Sequence, residues 1–334
     1  MSKLGIAVIG LGPAALPHSK SLLDLADRVE MRWAASRSTE RVAAFTAQFP
    51  FPGTTDIDAV LADEKVEAVI VLTPPSSHRD VATRCLRAGK HVLVEKPLEL
   101  NSARGAELVA AARETGKRLG VVLQHRFRPA SLRLKAVLDS GGLGAIEAAS
   151  LSVPWWRPQA YYDEPGRGTM ARDGGGVLLT QAIHSLDLFR SLVGVSRVVA
   201  AQVRTTALHR METEDYASAL METVSGAPAT LMTTTAAYPG HPERIEIIGT
   251  RGFASLVGGR LSLSFLDGTS EVVEAEGSTG SGANIMDFPH DAHRAVITDF
   301  LDAIATGRDP VVTGEEALAS QRLVDAILAK AAER

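Results

Sequence analysis

The chain has 334 residues, a length that suggests about two domains, each able to bury a core. Its 35 Lys and Arg nearly balance 39 Asp and Glu, and a formal net charge of -4 argues against nucleic acid or an anionic membrane as partner. The single cysteine, Cys85, excludes an internal disulfide framework, and no apolar run reaches the ~18 residues of a membrane span. The amino terminus reads straight into a strand without a signal-peptide pattern, so a cytoplasmic location is expected.

Leu4 to Ile9 reads as a buried strand, followed at once by Gly10-Leu-Gly12-Pro13-Ala14-Ala15, the G-x-G-x-x-A form of the dinucleotide-binding turn. Gly10 permits the tight turn, Gly12 lets backbone approach a pyrophosphate, and the small Ala15 lets helix pack close to strand. The helix expected over residues 14–25 would point its positive end at the phosphates. Pro13 has no N–H and removes one phosphate donor. The next strand, Val29 to Ala35, ends at Ser36-Arg37-Ser38, where an acid would be expected for the ribose hydroxyls of NAD. Arg37 can pair with a 2′-phosphate that a carboxylate would repel. NADP is therefore favoured over NAD, with stacking on an adenine or a solvated guanidinium as the alternatives for Arg37.

Helices are expected at residues 39–49 and 56–61, and a buried strand at 66–72 runs into Thr73-Pro74-Pro75-Ser-Ser-His78. Prolines there stop the strand and hold an irregular backbone against a crevice. A helix over residues 79–88 is closed by Gly89, and the apolar strand His91 to Val94 ends abruptly in Glu95-Lys96-Pro97. Ligands of an open parallel sheet sit beyond the carboxyl ends of its strands, so Lys96 is placed to meet one. A lone Lys-Pro would read as a solvated strand end; here the glycine turn upstream supplies a second half to the site. A helix at 102–115 and a strand at 119–123 complete an alternation that implies a doubly wound parallel (Rossmann) sheet over residues 1–124.

Together the amino-terminal glycine turn, Thr73-Pro-Pro-x-x-His78 and Gly-Lys-His-Val-Leu-Val-Glu95-Lys96-Pro97 resemble the glucose–fructose oxidoreductase / inositol dehydrogenase / MocA family, over nearly the whole chain. The resemblance implies that Lys96 lies beside the nicotinamide and exchanges a proton with the substrate oxygen. It also implies a cis Lys96–Pro97 peptide. The candidate cofactor site is Gly10, Gly12, Pro13, Ala14, Ala15, Ser36, Arg37, Thr73, Pro74, Pro75, His78, Glu95, Lys96 and Pro97.

Composition changes after Gln124. A helix over residues 130–140 is followed by strand-like segments at 146–153, 198–206, 216–223, 228–236, 243–249, 252–257, 260–265 and 269–274, then by closing helices at 291–306 and 315–333. Strands without intervening helices imply a large, mainly antiparallel sheet, so residues 125–334 read as an α+β domain; the resemblance implies that this sheet is open and that the domain serves substrate binding and oligomerisation. The resemblance implies a homodimer or homotetramer formed on the sheet's exposed face.

In Gly174 to Asp187 glycines open a helix, and Thr180, Gln181 and His184 are spaced to share one side of it. A histidine on an apolar helix is more often a hydrogen-bonded core residue than a catalyst. The resemblance raises it, since His184 matches a histidine beside the reacting carbon. Where the family has an aspartate one turn earlier, this chain has Thr180, and a hydroxyl cannot orient an imidazolium as a carboxylate would. Lys96 and His184 are thus the candidate catalytic pair, with Asp187 either orienting His184 or pairing with backbone.

Half or more of the 3 Trp and 4 Tyr fall in Trp155-Trp156-Arg157-Pro-Gln-Ala-Tyr161-Tyr162, with Arg167 and Arg172 close behind. Such a cluster reads equally as a stacking wall for a ring-shaped ligand or as a subunit interface. Candidate substrate contacts are Lys96, Gln124, Arg126, Trp156, Arg157, Tyr161, Arg172, Thr180, Gln181 and His184. No catalytic metal is expected: His290, Asp291 and His293 lie at a helix start where Asp291 serves as a cap or first-turn acid, and His209 and His241 lack partners at ligand spacing. The expected activity is an NAD(P)-dependent dehydrogenase or reductase acting on a secondary alcohol or ketone carbon of a sugar, sugar acid or cyclitol. The alternatives are an NAD-dependent glycosidase of the same fold and a non-catalytic NADP(H)-binding regulator.

Overall fold

The computed structural model describes residues 3–274 and 289–333. The chain divides into two compact units, Met1–Leu123 with His290–Ala319, and Gln124–Pro289 with Ser320–Arg334.

The first unit alternates strand and helix: β1 (Leu4–Ile9), α1 (Ala15–Asp24), β2 (Val29–Ala35), α2 (Thr39–Gln48), β3 (Gly53–Thr54), α3 (Ile57–Ala62), β4 (Ala68–Val71), α4 (His78–Arg87), β5 (His91–Val94), α5 (Ser102–Thr115) and β6 (Leu119–Val121). Every pairing is parallel and the order is β3-β2-β1-β4-β5-β6, so the switch point lies between β1 and β4. Val69, Ile70, Val71, Val92, Leu93 and Val94 are all buried, as strands covered by helices on both faces must be. Polar side chains cap α2, α3 and α5: Ser38 accepts from Arg41 N, Asp56 from Asp58 N and Ala59 N, and Asn101 from Arg104 N.

A boundary after residue 124 falls close to the division observed, but residues 290–319 depart from a contiguous split. They belong to the first unit because α11 (Asp291–Thr306) packs along α1 and buries Val296, Ile297, Phe300 and Leu301. Phe300 lies so close to β6 that a Cβ on Gly120 would stand 3.1 Å from its ring. The chain beyond α11 pairs with the β6 edge, Val121 N donating to Val312 O at 3.1 Å. Residues 1–124 alone would leave that edge and face uncovered.

The second unit contains α6 (Pro129–Asp139), β7 (Ile146–Pro154), α7 (Gln159–Tyr162), α8 (Met170–Asp173), α9 (Val177–Thr180), α10 (Ile183–Val193), β8 (Val195–Arg204), β9 (Tyr216–Thr223), β10 (Pro228–Thr234), β11 (Arg244–Gly249), β12 (Gly252–Val257), β13 (Arg260–Phe265) and β14 (Ser270–Val273). The last helix, α12 (Gly314–Ala332), spans the division. The eight strands run β14-β13-β12-β11-β7-β10-β9-β8, antiparallel throughout except for β7 beside β10. One face packs under α6, α9 and α10, which explains the alternation of buried Ala229, Leu231 and Thr233 with exposed Pro228 and Thr230. The other face leaves Leu220, Ile248 and Phe253 exposed.

One helix expected over residues 174–187 is instead two. The chain breaks at Gln181, where φ is -116° and ψ -60°, and Ala182 N reaches back to Val177 O at 2.8 Å. Thr180 and His184 therefore belong to different helices, and the four-residue spacing no longer places them on one helical face. Among the described residues no helix is long and apolar enough to cross a membrane.

Candidate active site

At the switch point of the first sheet, Gly10 leaves β1 with φ +108° and donates to Ala35 O at 2.9 Å. A Cβ there would stand 2.6 Å from the Leu72 carbonyl carbon and 2.7 Å from Thr73 N, so only glycine lets the ends of β1 and β4 approach. At Gly12 a Cβ would meet no atom within 4 Å. Backbone open in this way at the start of α1 is what a pyrophosphate requires, and the residues present fit a dinucleotide. Ala15 is buried against the strand, with Ala14 half-buried and Pro13 exposed in front of it. Beyond β2, Ser36 Oγ accepts from Ser38 N at 3.4 Å. Arg37 is exposed and has no ion-pair partner among the described residues.

The loops after β4 and β5 are fastened to each other. His78, fully buried, has Nε2 2.7 Å from Thr73 O and Nδ1 2.9 Å from Pro97 O. Burial pushes its pKa down. Kept neutral by burial, the ring has one N–H, which donates to one of these two carbonyls while the ring packs between both loops. Pro74 is exposed, Pro75 begins a single 3₁₀ turn, and Thr73 Oγ1 is buried with no hydrogen-bond partner among the described residues. Lys96 is half-buried, and the Lys96–Pro97 peptide is cis, as the resemblance implies.

Glu95 is buried, with Oε1 2.9 Å from His18 Nε2 and Oε2 accepting the Lys96 N–H at 2.8 Å. Burial alone would raise its pKa. The His18 hydrogen bond and the charges of His18, Lys96 and His293 outweigh that and hold the carboxyl down at about 2. Glu95 thus faces α1 and not an open crevice. Just beyond, Glu99 is pinned by Arg104 at 2.8 Å and by Arg79 N at 3.0 Å.

In the second unit, His184 lies in the first turn of α10 and is buried. Its ring stacks on His125, with centroids 5.0 Å apart at 28°. Asp187 is turned to side chains other than His184. Its carboxylate takes Nε and Nη2 of Arg126, both at 2.6 Å, and accepts from Ser320 Oγ at 2.6 Å. A fully buried carboxylate needs such a cation, and Arg126 is held by it. Thr180 Oγ1 donates to Gly176 O at 2.7 Å.

The aromatic segment is largely bonded to itself. Gln181 Nε2 and Arg167 Nη1 both donate to the Tyr161 hydroxyl, at 2.7 and 2.8 Å. Arg172 reaches Glu164 at 2.7 Å, and the buried Arg157 donates to Trp156 O and lies 5.3 Å over the Trp155 ring. Trp156, half-buried, packs between His209 and Tyr238. Gln124 Oε1 is buried with no hydrogen-bond partner among the described residues.

Residues 4–123 match the description "Oxidoreductase family, NAD-binding Rossmann fold", and residues 131–255 match the "GFO/IDH/MocA C-terminal domain". The chain belongs to the glucose–fructose oxidoreductase / inositol dehydrogenase / MocA family. It is 28% identical over 291 residues to the inositol 2-dehydrogenase of Rhizobium meliloti (strain 1021), covering 83% of this chain and 82% of that one. It is 27% identical over 321 residues to the scyllo-inositol 2-dehydrogenase (NAD(+)) of Bacillus subtilis (strain 168), covering 93% and 89%. The WlbA dehydrogenase from Bordetella pertussis, solved with NADH and UDP-GlcNAcA, matches at TM-score 0.84 and 28% identity over 99% of this chain and 97% of that one. Membership makes the protein an oxidoreductase with an NAD-binding fold.

Sequence motifs mark neither His18 nor Glu214, and they group His293 with its chain neighbours. His18 lies on the buried face of α1, and a histidine among small residues there was the available signal. Glu214 caps α9 by accepting from Gly176 N and Leu178 N at 3.0 and 3.1 Å, and nothing local in the sequence marks it. His293 does not group with its chain neighbours. His290 bonds Asp24 at 2.8 Å and Asp291 pairs with Arg294, whereas His293 turns inward to His18 and Glu95. One side-chain nitrogen or oxygen from each of His18, Glu95 and His293 lies within 4.8 Å of the other two.

Proposed function

We propose that this protein transfers a hydride between a nicotinamide dinucleotide and a secondary alcohol or ketone carbon of a sugar, sugar acid or cyclitol, with Lys96 and His184 as its acid–base groups. The observation that carries the reading is Lys96 itself, half-buried at the carboxyl end of β5 on the same sheet as the open Gly12 turn. When bound, the nicotinamide supplies or accepts the hydride. Lys96 takes or gives the proton of the reacting oxygen, and its ammonium stabilises negative charge developing there. His184, its ring set against His125, is the second acid–base group or the donor that fixes the substrate oxygen. Thr180, Gln181, Gln124, Trp156 and Tyr161 line the substrate side, with Arg126, Arg157 and Arg172 shaping the site through the contacts described above.

The substrate class is supported by relatives named for inositol and by one solved with UDP-GlcNAcA. A preference for NADP rests on Arg37, exposed just beyond β2 and without an ion-pair partner among the described residues, a guanidinium suited to a 2′-phosphate. The domains at 1–124 and 125–334 bind dinucleotide and substrate respectively, with residues 290–319 completing the first. A homodimer or homotetramer would use the open sheet face of the second unit, and a cytoplasmic location fits the lone, buried Cys85.

Fluorescence titration with NADPH and NADH, then a cyclitol and sugar-acid panel followed at the nicotinamide absorbance, tests the reading. Lys96→Ala is expected to lower turnover by about 10²–10⁴-fold. Binding of neither nucleotide, or full turnover by Lys96→Ala, refutes it.

A further inference from the structure

We propose that Glu95, held by His18 of α1, is a positioning residue for Lys96, tying the acid–base amine to the helix that begins at the glycine turn. This rests on Lys96 being the acid–base group. Lys96 sits between two buried fastenings. On its amino side, Glu95 Oε2 accepts the Lys96 N–H at 2.8 Å, fixing the amide plane from which the lysine side chain departs. On its carboxyl side, Pro97 O lies 2.9 Å from His78 Nδ1, and the ring's other nitrogen lies 2.7 Å from Thr73 O.

The amino-side fastening reaches further. Glu95 Oε1 meets His18 Nε2 at 2.9 Å, and His18 stands in α1, whose first turn starts beside the open backbone of Gly12. His293 of α11 closes the remaining side, edge-on to His18 at 5.2 Å. The titratable groups around this corner include His18 from α1, His78 from α4, Glu99 just beyond Pro97, and His290 and His293 at the start of α11. A solvated strand end would need none of this, and a carboxylate that only held a helix to a sheet would be replaceable by apolar packing. Holding the backbone of Lys96 with one oxygen and α1 with the other makes the lysine's placement depend on the dinucleotide helix. Acid–base catalysis is sensitive to displacements of this kind.

Glu95→Gln keeps the shape and an acceptor but removes the charge. The first readout needs no turnover: competitive acetylation of Lys96 by acetic anhydride across pH, followed by peptide mass spectrometry. The midpoint is expected to fall by about half a pH unit or more, because losing a neighbouring negative charge disfavours the ammonium. The second is kinetic, on whichever of myo-inositol, scyllo-inositol or glucose the parent protein oxidises. There kcat is expected to fall at least about tenfold while KM and the NADPH Kd stay within about threefold. In a Lys96→Ala background, adding Glu95→Gln should cost nothing further.

An unchanged acetylation midpoint with unchanged kcat overturns the proposal, as does a loss of stability without either effect. If Glu95→Gln does not fold, His18→Asn carries the test: a change of about threefold or more in Lys96 acetylation rate at fixed pH supports it, and no change overturns it. Full turnover by Lys96→Ala would instead sink the acid–base reading of Lys96, whatever Glu95→Gln does to the acetylation midpoint.

Discussion

The two glycines of the turn serve different purposes, and substitution separates them. An alanine at position 10 must adopt φ near +108°, a left-handed conformation costing an L-residue about 1–2 kcal/mol. Its Cβ would also stand 2.6 Å from the Leu72 carbonyl carbon, backbone that cannot rotate away, and relieving such a clash costs a further ~1–3 kcal/mol. Gly10→Ala should therefore destabilise by about 2–5 kcal/mol, a fall in Tm of roughly 5–15 °C for a domain of this size. Gly12→Val meets no atom within 4 Å at its Cβ, so Tm should hold within ~2 °C. Its side chain would occupy the space a pyrophosphate needs, and NADPH binding should weaken at least about tenfold. Thermal unfolding by circular dichroism with parallel nucleotide titration measures both. An unchanged Tm in Gly10→Ala, or parental nucleotide affinity in Gly12→Val, would refute the division of labour.

Burial, then the charge of His18, holds the His293 pKa down at about 3, so the folded state resists a proton that the unfolded chain takes up near pH 6.5. Its contribution is present above that pH and is lost as pH falls toward 3, while that of Glu95 is lost below about 4.5, through its folded value near 2. Urea unfolding should show stability declining from about pH 6, by a few kcal/mol in all; His293→Leu should remove part of the upper decline, to which His78 and His91, also held below the free histidine value by burial, contribute. A flat profile down to pH 5 in the parent protein would contradict this. Arg37→Ser should weaken NADPH about tenfold or more and leave NADH within about twofold, read by fluorescence titration. Asp187→Ala strands the Arg126 guanidinium and should cost about 3–5 kcal/mol in urea unfolding; parental stability would mean that the pair is not buried as described.

Local signals located most of the scaffold. Val66 to Leu72 and His91 to Val94 are apolar because helices cover both faces, and such runs can be seen without knowing what covers them. The strands of the second sheet were legible as strand-like segments without helices between them, and the helices at 39–49, 56–61 and 102–115 were legible too; the structure shows them capped by Ser38, Asp56 and Asn101. Residues 174–187 defeated the same reasoning. Spacing predicts one helix, whereas Glu214, some forty residues later, captures the N–H groups of Gly176 and Leu178 and starts a separate short turn. Likewise, the Asp187 side chain answers to Arg126, sixty-one positions earlier, and no periodicity encodes that partner.

By itself the amino-acid order determined the kind of protein: a glycine turn after a first strand, a Lys-Pro after another, and alternation that admits only a parallel sheet with helices between. These are short-range properties, set by backbone sterics and by which side chains can be buried. Only the tertiary structure decided that His18, Glu95 and His293 meet, that His78 braces two loops, and that α11 completes the first unit. Those are partnerships between groups distant along the chain, and they exist because buried polar atoms must find whichever partner the packing brings near.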